Sequence, residues 1–193
     1  MLIGIILTFM TSFELLKILI IGAILGLFYA FVPIGFKYIA FGDLAVFLAW
    51  SLISLGSYYI QTLQMSYVPF LAFIPISLLV VGILHGNNMR DIQDDVKAGY
   101  RTFAGILGVR GSQFYYAFLV ISSYIVLIIL VAFKILPIWT LISLLTIPSA
   151  LRNIEWAFKP NYIQFAMLAF YTAQLSNSLS VFIIIGLILN RLV

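Results

Sequence analysis

The chain is 193 residues long, 64% hydrophobic and only 8% charged, with a mean hydropathy of +1.20 and a formal net charge of +4. Soluble domains carry about 25% charged residues, so this composition excludes a water-soluble globular fold and points to an integral membrane protein. With no cysteine, disulfides, thiolate metal sites and a thiol nucleophile are excluded, and the small cationic excess reads as membrane topology rather than nucleic-acid binding.

Residues 2–10 are apolar over only half a span and end at Thr11, Ser12 and Glu14. They lack a basic flank and a small-residue cleavage site, so they are read as the tail of a helix whose beginning is absent, not as a signal peptide. A crossing needs about 20 apolar residues. Runs near that length are predicted at 15–31, 44–63, 68–84, 114–133 and 166–189, with a shorter one at 138–151. Pro33, Pro69, Pro137, Pro148 and Pro160 fall at or near span ends, where a missing N–H costs least, whereas Pro75 lies inside a span and predicts a kink. No repeat or low-complexity tract is evident. The expected fold is an all-α, polytopic transmembrane helical bundle forming one membrane domain over 1–193.

Cytoplasmic loops retain Lys and Arg, which fixes the expected orientation. Lys37, Arg90, Lys97, Arg101, Arg110, Arg152 and Lys159 collect on one face, and only Lys17, Lys134 and Arg191 on the other. The loops at 32–43, 85–113 and 152–161 are therefore expected on the cytoplasmic side of a plasma-membrane, multi-pass protein.

The stretch from His85 to Arg110 holds Asp91, Asp94 and Asp95, half of the chain's six acidic residues. On a continuous helix Asn87, Asp91 and Asp95 step by i+4 and cover an arc of about 80°. Mg2+ prefers oxygen ligands and is usually held by one or two carboxylates, with water and substrate phosphates completing the shell. Asp91 and Asp95 suit that role, with Asn87 as a neutral oxygen ligand; Lys97 and Arg101 follow within two turns and suit phosphate oxygens. Gly99, Gly105, Gly108 and Gly111 offer places where the backbone can leave the helix. The competing reading is a solvated loop with local pairs such as Arg90 with Asp94 or Asp91 with Lys97, and Asp94 stays a secondary candidate for that reason. His85 is read as capping its span at the interface rather than as a base.

The segment NNMRDIQDDVKAGYRT resembles the second Asp-rich motif of the UbiA superfamily of intramembrane aromatic prenyltransferases, nearest the branch that prenylates 1,4-dihydroxy-2-naphthoate in menaquinone synthesis. The likeness is carried by Asn87, Asn88, Arg90, Asp91, Ile92, Asp95, Gly99, Thr102, Ala104, Leu107 and Gly108, with Phe103 and Gly105 as mild departures. The segment from Tyr29 to Thr62 is similar to the family's Tyr-rich loop and following helix, through Tyr29, Lys37, Gly42, Asp43 and Gln61. A weaker likeness to the last helix rests on Thr172, Ala173 and Gln174, with Asn177 where histidine is common.

The resemblance implies a UbiA-like fold and a Mg2+-dependent transfer from a polyprenyl diphosphate to an aromatic acceptor. Metal ligation then falls to Asp91, Asp95 and Asn87, and catalysis to Asp91, Asp95 and Lys37. Arg101, Lys97, Tyr29 and Asp43 bind substrate. Lys37 is read as a phosphate ligand more than a topology charge; Asp43 is equally readable as the N-cap of the helix that follows. Tyr29, Tyr58 and Tyr59 could steady a carbocation, although most aromatics in such a chain pack or face lipid. Nothing here matches the family's earlier Asn-Asp-x-x-x-Asp motif, so the chain is expected to be an N-terminally incomplete UbiA bundle, its C-terminal two thirds, with low turnover alone. A second chain carrying that motif is one expected partner, besides the bilayer and the two substrates. The alternative is a noncatalytic subunit that binds lipid diphosphate; a transporter is disfavoured because no charge lies in mid-span.

Overall fold

The computed structural model describes residues 2–31, 35–159 and 165–192. Their order is α1 (Leu2–Met10), α2 (Glu14–Ala30), a 3-10 turn (Phe36–Tyr38), α3 (Gly42–Thr62), α4 (Val68–Arg90) and α5 (Ile92–Lys97). Then come α6 (Phe103–Ala132), a 3-10 helix (Ile138–Thr146), α7 (Ile147–Phe158) and α8 (Leu168–Leu192). The described residues form an all-α bundle with four helices long and apolar enough to cross a membrane: α3, α4, α6 and α8.

Helix α4 is the hub, packing on α3, α6 and α8. Lipid offers no hydrophobic drive between helices, so close packing and interhelical hydrogen bonds hold such a bundle. Ser51 on α3 shares a 2.9 Å hydrogen bond with Ser77 on α4, and Ser123 on α6 donates to the Pro75 carbonyl at 2.7 Å. The Tyr116 hydroxyl on α6 meets Thr172 of α8 at 2.6 Å, beside a core of Leu79, Val120, Leu127, Leu168 and Leu179. A smaller cluster of Leu15, Ile18 and Tyr59 joins α2 to α3. Helix α4 continues through Pro75 as one element.

Helix α2, with 17 residues and about 26 Å long, coincides with the expected run at 15–31 and lies at the short end of the range for a crossing. One of the expected crossings takes another form. Residues 138–151 are not one α-helix: a nine-residue 3-10 helix hands over to α7 at Ile147. Thr140, Ser143 and Thr146 each donate a 2.7 Å hydrogen bond to the carbonyl three residues back, matching the three-residue turn of this helix type. The 3-10 helix lies tight against α8, where a Cβ added at Gly186 would meet Thr140 backbone atoms at 2.6 Å.

Of the glycines expected to release the helix, Gly99 (φ +78°) and Gly108 (φ +66°) do so, while Gly105 and Gly111 stay helical. Gly108 interrupts α6 with a backbone conformation (ψ 176°) that only glycine adopts readily. Ser112 spans the interruption by donating to the Ala104 carbonyl at 3.2 Å.

Candidate active site

Helix α4 ends at Arg90, and Asp91 takes the non-helical φ −97°, ψ 9° before α5 begins. The single helix assumed for Asn87, Asp91 and Asp95 is thus broken at its middle residue. The i→i−4 ladder nonetheless crosses the break, since Asp91 N–H donates to the Asn87 carbonyl at 3.1 Å and Asp95 N–H to the Asp91 carbonyl at 2.9 Å. The three residues remain one turn apart along the chain.

The break changes which ions pair. Neighbours i and i+1 on a helix do not face each other, but Asp91 has left the helix and Arg90 clasps it with two hydrogen bonds, Nε to Oδ1 at 2.7 Å and Nη2 to Oδ2 at 2.8 Å. The local pairs read from spacing, Arg90 with Asp94 and Asp91 with Lys97, give way to this clasp and to a long, exposed Lys97–Asp94 contact of 3.5 Å. Asp95 and Asn87 are both half-buried.

The following loop is tied to the one after α2. Arg101 N–H donates to the Tyr38 carbonyl at 3.2 Å, Ile39 and Arg101 form a parallel β-bridge, and the rings of Tyr38 and Tyr100 lie 4.7 Å apart. Arg101 is therefore fixed at its backbone next to the 3-10 turn that carries Lys37; the Lys37 side chain lies outside the described part of the structure. Thr102 then N-caps α6, its hydroxyl accepting from Gly105 N–H at 3.1 Å. A shallow cavity of about 240 Å³, bounded by Tyr100, Arg101 and Gly105, opens here at the N-terminus of α6, where helix-end amides favour an anion.

Sequence reasoning missed the main buried polar contact. Asp43 does not cap α3; it lies in the first turn of that helix and its Oδ2 meets His85 Nδ1 on α4 at 3.0 Å, both side chains being buried. His85 is accordingly an interior residue and not an interfacial cap. Its ring packs edge-on against Tyr115 at 4.7 Å and near Phe103 at 6.3 Å, and its Nε2 has no hydrogen-bond partner. Tyr29, half-buried at the end of α2, and Tyr115 both lie within electrostatic range of the Asp43 carboxylate. Nothing in the spacing of residues 42 positions apart reveals such a pair.

Other expectations are placed elsewhere. Tyr58, Tyr59 and Gln61 sit at the far end of α3, about 24 Å from Asp43 along the helix. Tyr59 there is buried and hydrogen-bonded to Ser12, and Gln61 is exposed. Thr172 is a packing residue bonded to Tyr116, whereas Gln174 and Asn177 face a second cavity between α7 and α8.

Among the described residues no cluster of three His, Cys, Asp or Glu side chains could hold a metal by itself. What exists is two carboxylates one turn apart along the chain, with a neighbouring amide and several cations, a donor set suited to Mg2+ only when substrate phosphates complete the shell.

Comparison with known proteins bears on this arrangement. A sequence profile described as the UbiA prenyltransferase family matches residues 1–178. UbiA prenyltransferase domain-containing protein 1 of Homo sapiens is 34% identical over 177 residues, which is 91% of this chain and 51% of that protein. The Mus musculus protein of the same name is 33% identical over the same extent. That of Dictyostelium discoideum is 42% identical over 109 residues, 55% of this chain and 32% of that protein. The chain thus spans about half, or less, of the length of these relatives, whose names specify a prenyltransferase domain and no acceptor, so the resemblance is shown for the family and not for the naphthoate branch.

Proposed function

Because this chain belongs to the UbiA prenyltransferase family, we propose that it transfers a polyprenyl group from an allylic diphosphate to an aromatic acceptor, 1,4-dihydroxy-2-naphthoate in menaquinone formation. The observation that carries the reading is the Asp91–Asp95 turn, held by the 2.9 Å backbone hydrogen bond and followed directly by an Arg101 loop anchored to Tyr38. Asp91, Asp95 and Asn87 would hold Mg2+, which supplies charge neutralisation for a departing pyrophosphate. Arg101, Lys97 and Lys37 take the remaining phosphate oxygens, so the allylic C–O bond can break towards a clamped leaving group. Tyr29 and Asp43 would bind substrate, beside the Tyr115 and Phe103 rings that pack on His85. The loops carrying these groups would face the cytoplasm, the side on which Lys and Arg collect.

The test is product analysis with the naphthoate and a labelled polyprenyl diphosphate. Asp91→Ala and Asp95→Ala should each abolish product, and full activity in both would discard the enzyme reading. A second reading, a noncatalytic membrane subunit that binds lipid diphosphate and works with a partner bearing another Asp-rich motif, is favoured by the lack of a self-sufficient metal cluster among the described residues. It predicts Mg2+-dependent diphosphate binding without turnover.

A further inference from the structure

A polar cavity of about 390 Å³ lies between α7 and α8, away from the Asp-rich turn in sequence. Its walls are two helix faces: Ser149, Arg152 and Asn153 at i, i+3 and i+4 on α7, and Gln174, Asn177 and Ser178 on α8. The lining contains one cation, three amides and three hydroxyls, and no acid.

Arg152 is held in place without being neutralised. Its guanidinium stands 5.2 Å from the centre of the Trp156 ring, which packs on Tyr171, another wall residue, at 4.5 Å. The acid nearest to it on α7, Glu155, is taken by Lys159 at 2.8 Å, and Arg152 forms no ion pair among the described residues. Asn153 is 2% exposed and its Nδ2 lies towards the Tyr116 hydroxyl, whose proton goes to Thr172 and whose oxygen is left as the acceptor nearest to that amide.

An unpaired guanidinium, spare amide donors and an aromatic wall together fit a planar ring bearing a carboxylate, since Arg recognises carboxylates through its rigid fork and stacks on aromatic faces. The volume lies in the range of small-molecule sites. The Gly86 turn of α4, next to Asn87, packs on α8 close in sequence to the cavity: a methyl at Gly86 would sit 3.5 Å from the Ala169 backbone, two residues before the wall residue Tyr171. We infer that this cavity receives the carboxylate of the aromatic acceptor, with Arg152 as the residue that selects for an acid; the inference rests on the aromatic-acceptor reading above.

The probe is 1-hydroxy-2-naphthoate, titrated by its fluorescence into the full chain in lipid nanodiscs, with its methyl ester as the neutral control. Loss of a charge-assisted hydrogen bond corresponds to about 10- to 100-fold in Kd. Wild type should bind the acid at least about 10-fold more tightly than the ester, and Arg152→Gln should erase that preference, with Arg152→Lys restoring part of it. Arg152 is exposed, so these variants should fold. Equal binding of acid and ester by wild type, or an unchanged preference in Arg152→Gln, overturns the inference. Arg152-dependent binding by a chain that transfers no prenyl group would sink the enzyme reading and leave the pocket standing. Prenyl transfer indifferent to Arg152 would do the reverse.

Discussion

Replacing Arg90 with alanine removes the clasp on Asp91 and should make this carboxylate a better ligand for Mg2+. The clasp uses both carboxylate oxygens, at 2.7 and 2.8 Å, so a cation must compete with the guanidinium for them. Both side chains are 42% exposed, so the pair contributes about 0.2 to 1 kcal/mol, as half-solvated ion pairs do. Released in full, that energy corresponds to a gain of up to about fivefold in affinity for Mg2+ alone. The assay is a Mg2+ titration by calorimetry on the chain in nanodiscs, without diphosphate. Arg90→Ala should tighten binding by up to about fivefold, and the gain should vanish when Arg90→Ala is made in an Asp91→Asn background. Weaker binding by Arg90→Ala, or a gain that survives Asp91→Asn, would remove Asp91 from the metal shell.

Two other substitutions probe the scaffold. Gly186→Ala sets a methyl against Thr140 and Trp139 backbone atoms at 2.6 Å, so α8 must move off the 3-10 helix. A loss of about 1 to 3 kcal/mol is expected, read as earlier thermal unfolding in detergent, and an unchanged transition would show the two helices to be farther apart. Asp43→Ala strands the buried His85 Nδ1–H and should cost about 1 to 3 kcal/mol, while Asp43→Asn, which keeps a hydrogen-bond acceptor, should recover most of it. Equal stability of the two variants would contradict the Asp43–His85 contact.

The apolar stretches of α4, α6 and α8 were legible because an apolar run of spanning length has few alternatives in lipid, but the loop expected over 85–113 gives way to helix from Phe103, since Arg110 and three glycines interrupt the apolar run there without ending the helix. The segment 138–151 was not: hydropathy measures apolar length, whereas the hydroxyls at Thr140, Ser143 and Thr146, spaced by three, are what accompany the 3-10 geometry. That spacing is the signal of the 3-10 helix in the sequence. At the site, the i+4 steps of Asn87, Asp91 and Asp95 located the right turn, because the hydrogen-bond ladder survives the break. The ion pairs were misread because helical spacing was applied across Asp91, where the helix stops. Asp43 and His85 meet only through the packing of α3 on α4, a tertiary fact that no local pattern encodes.

The proposed function requires Asp91 and Asp95 to grip together a cation and the phosphates it carries. Calorimetric titration of inorganic pyrophosphate into the full chain, with Mg2+ and then with EDTA, tests it most directly. The account predicts binding only with Mg2+, weakened at least about 10-fold by Asp95→Asn, the scale for losing a charged hydrogen-bonding or ligand group. Pyrophosphate binding that persists in EDTA, or that Asp95→Asn leaves unchanged, would contradict it.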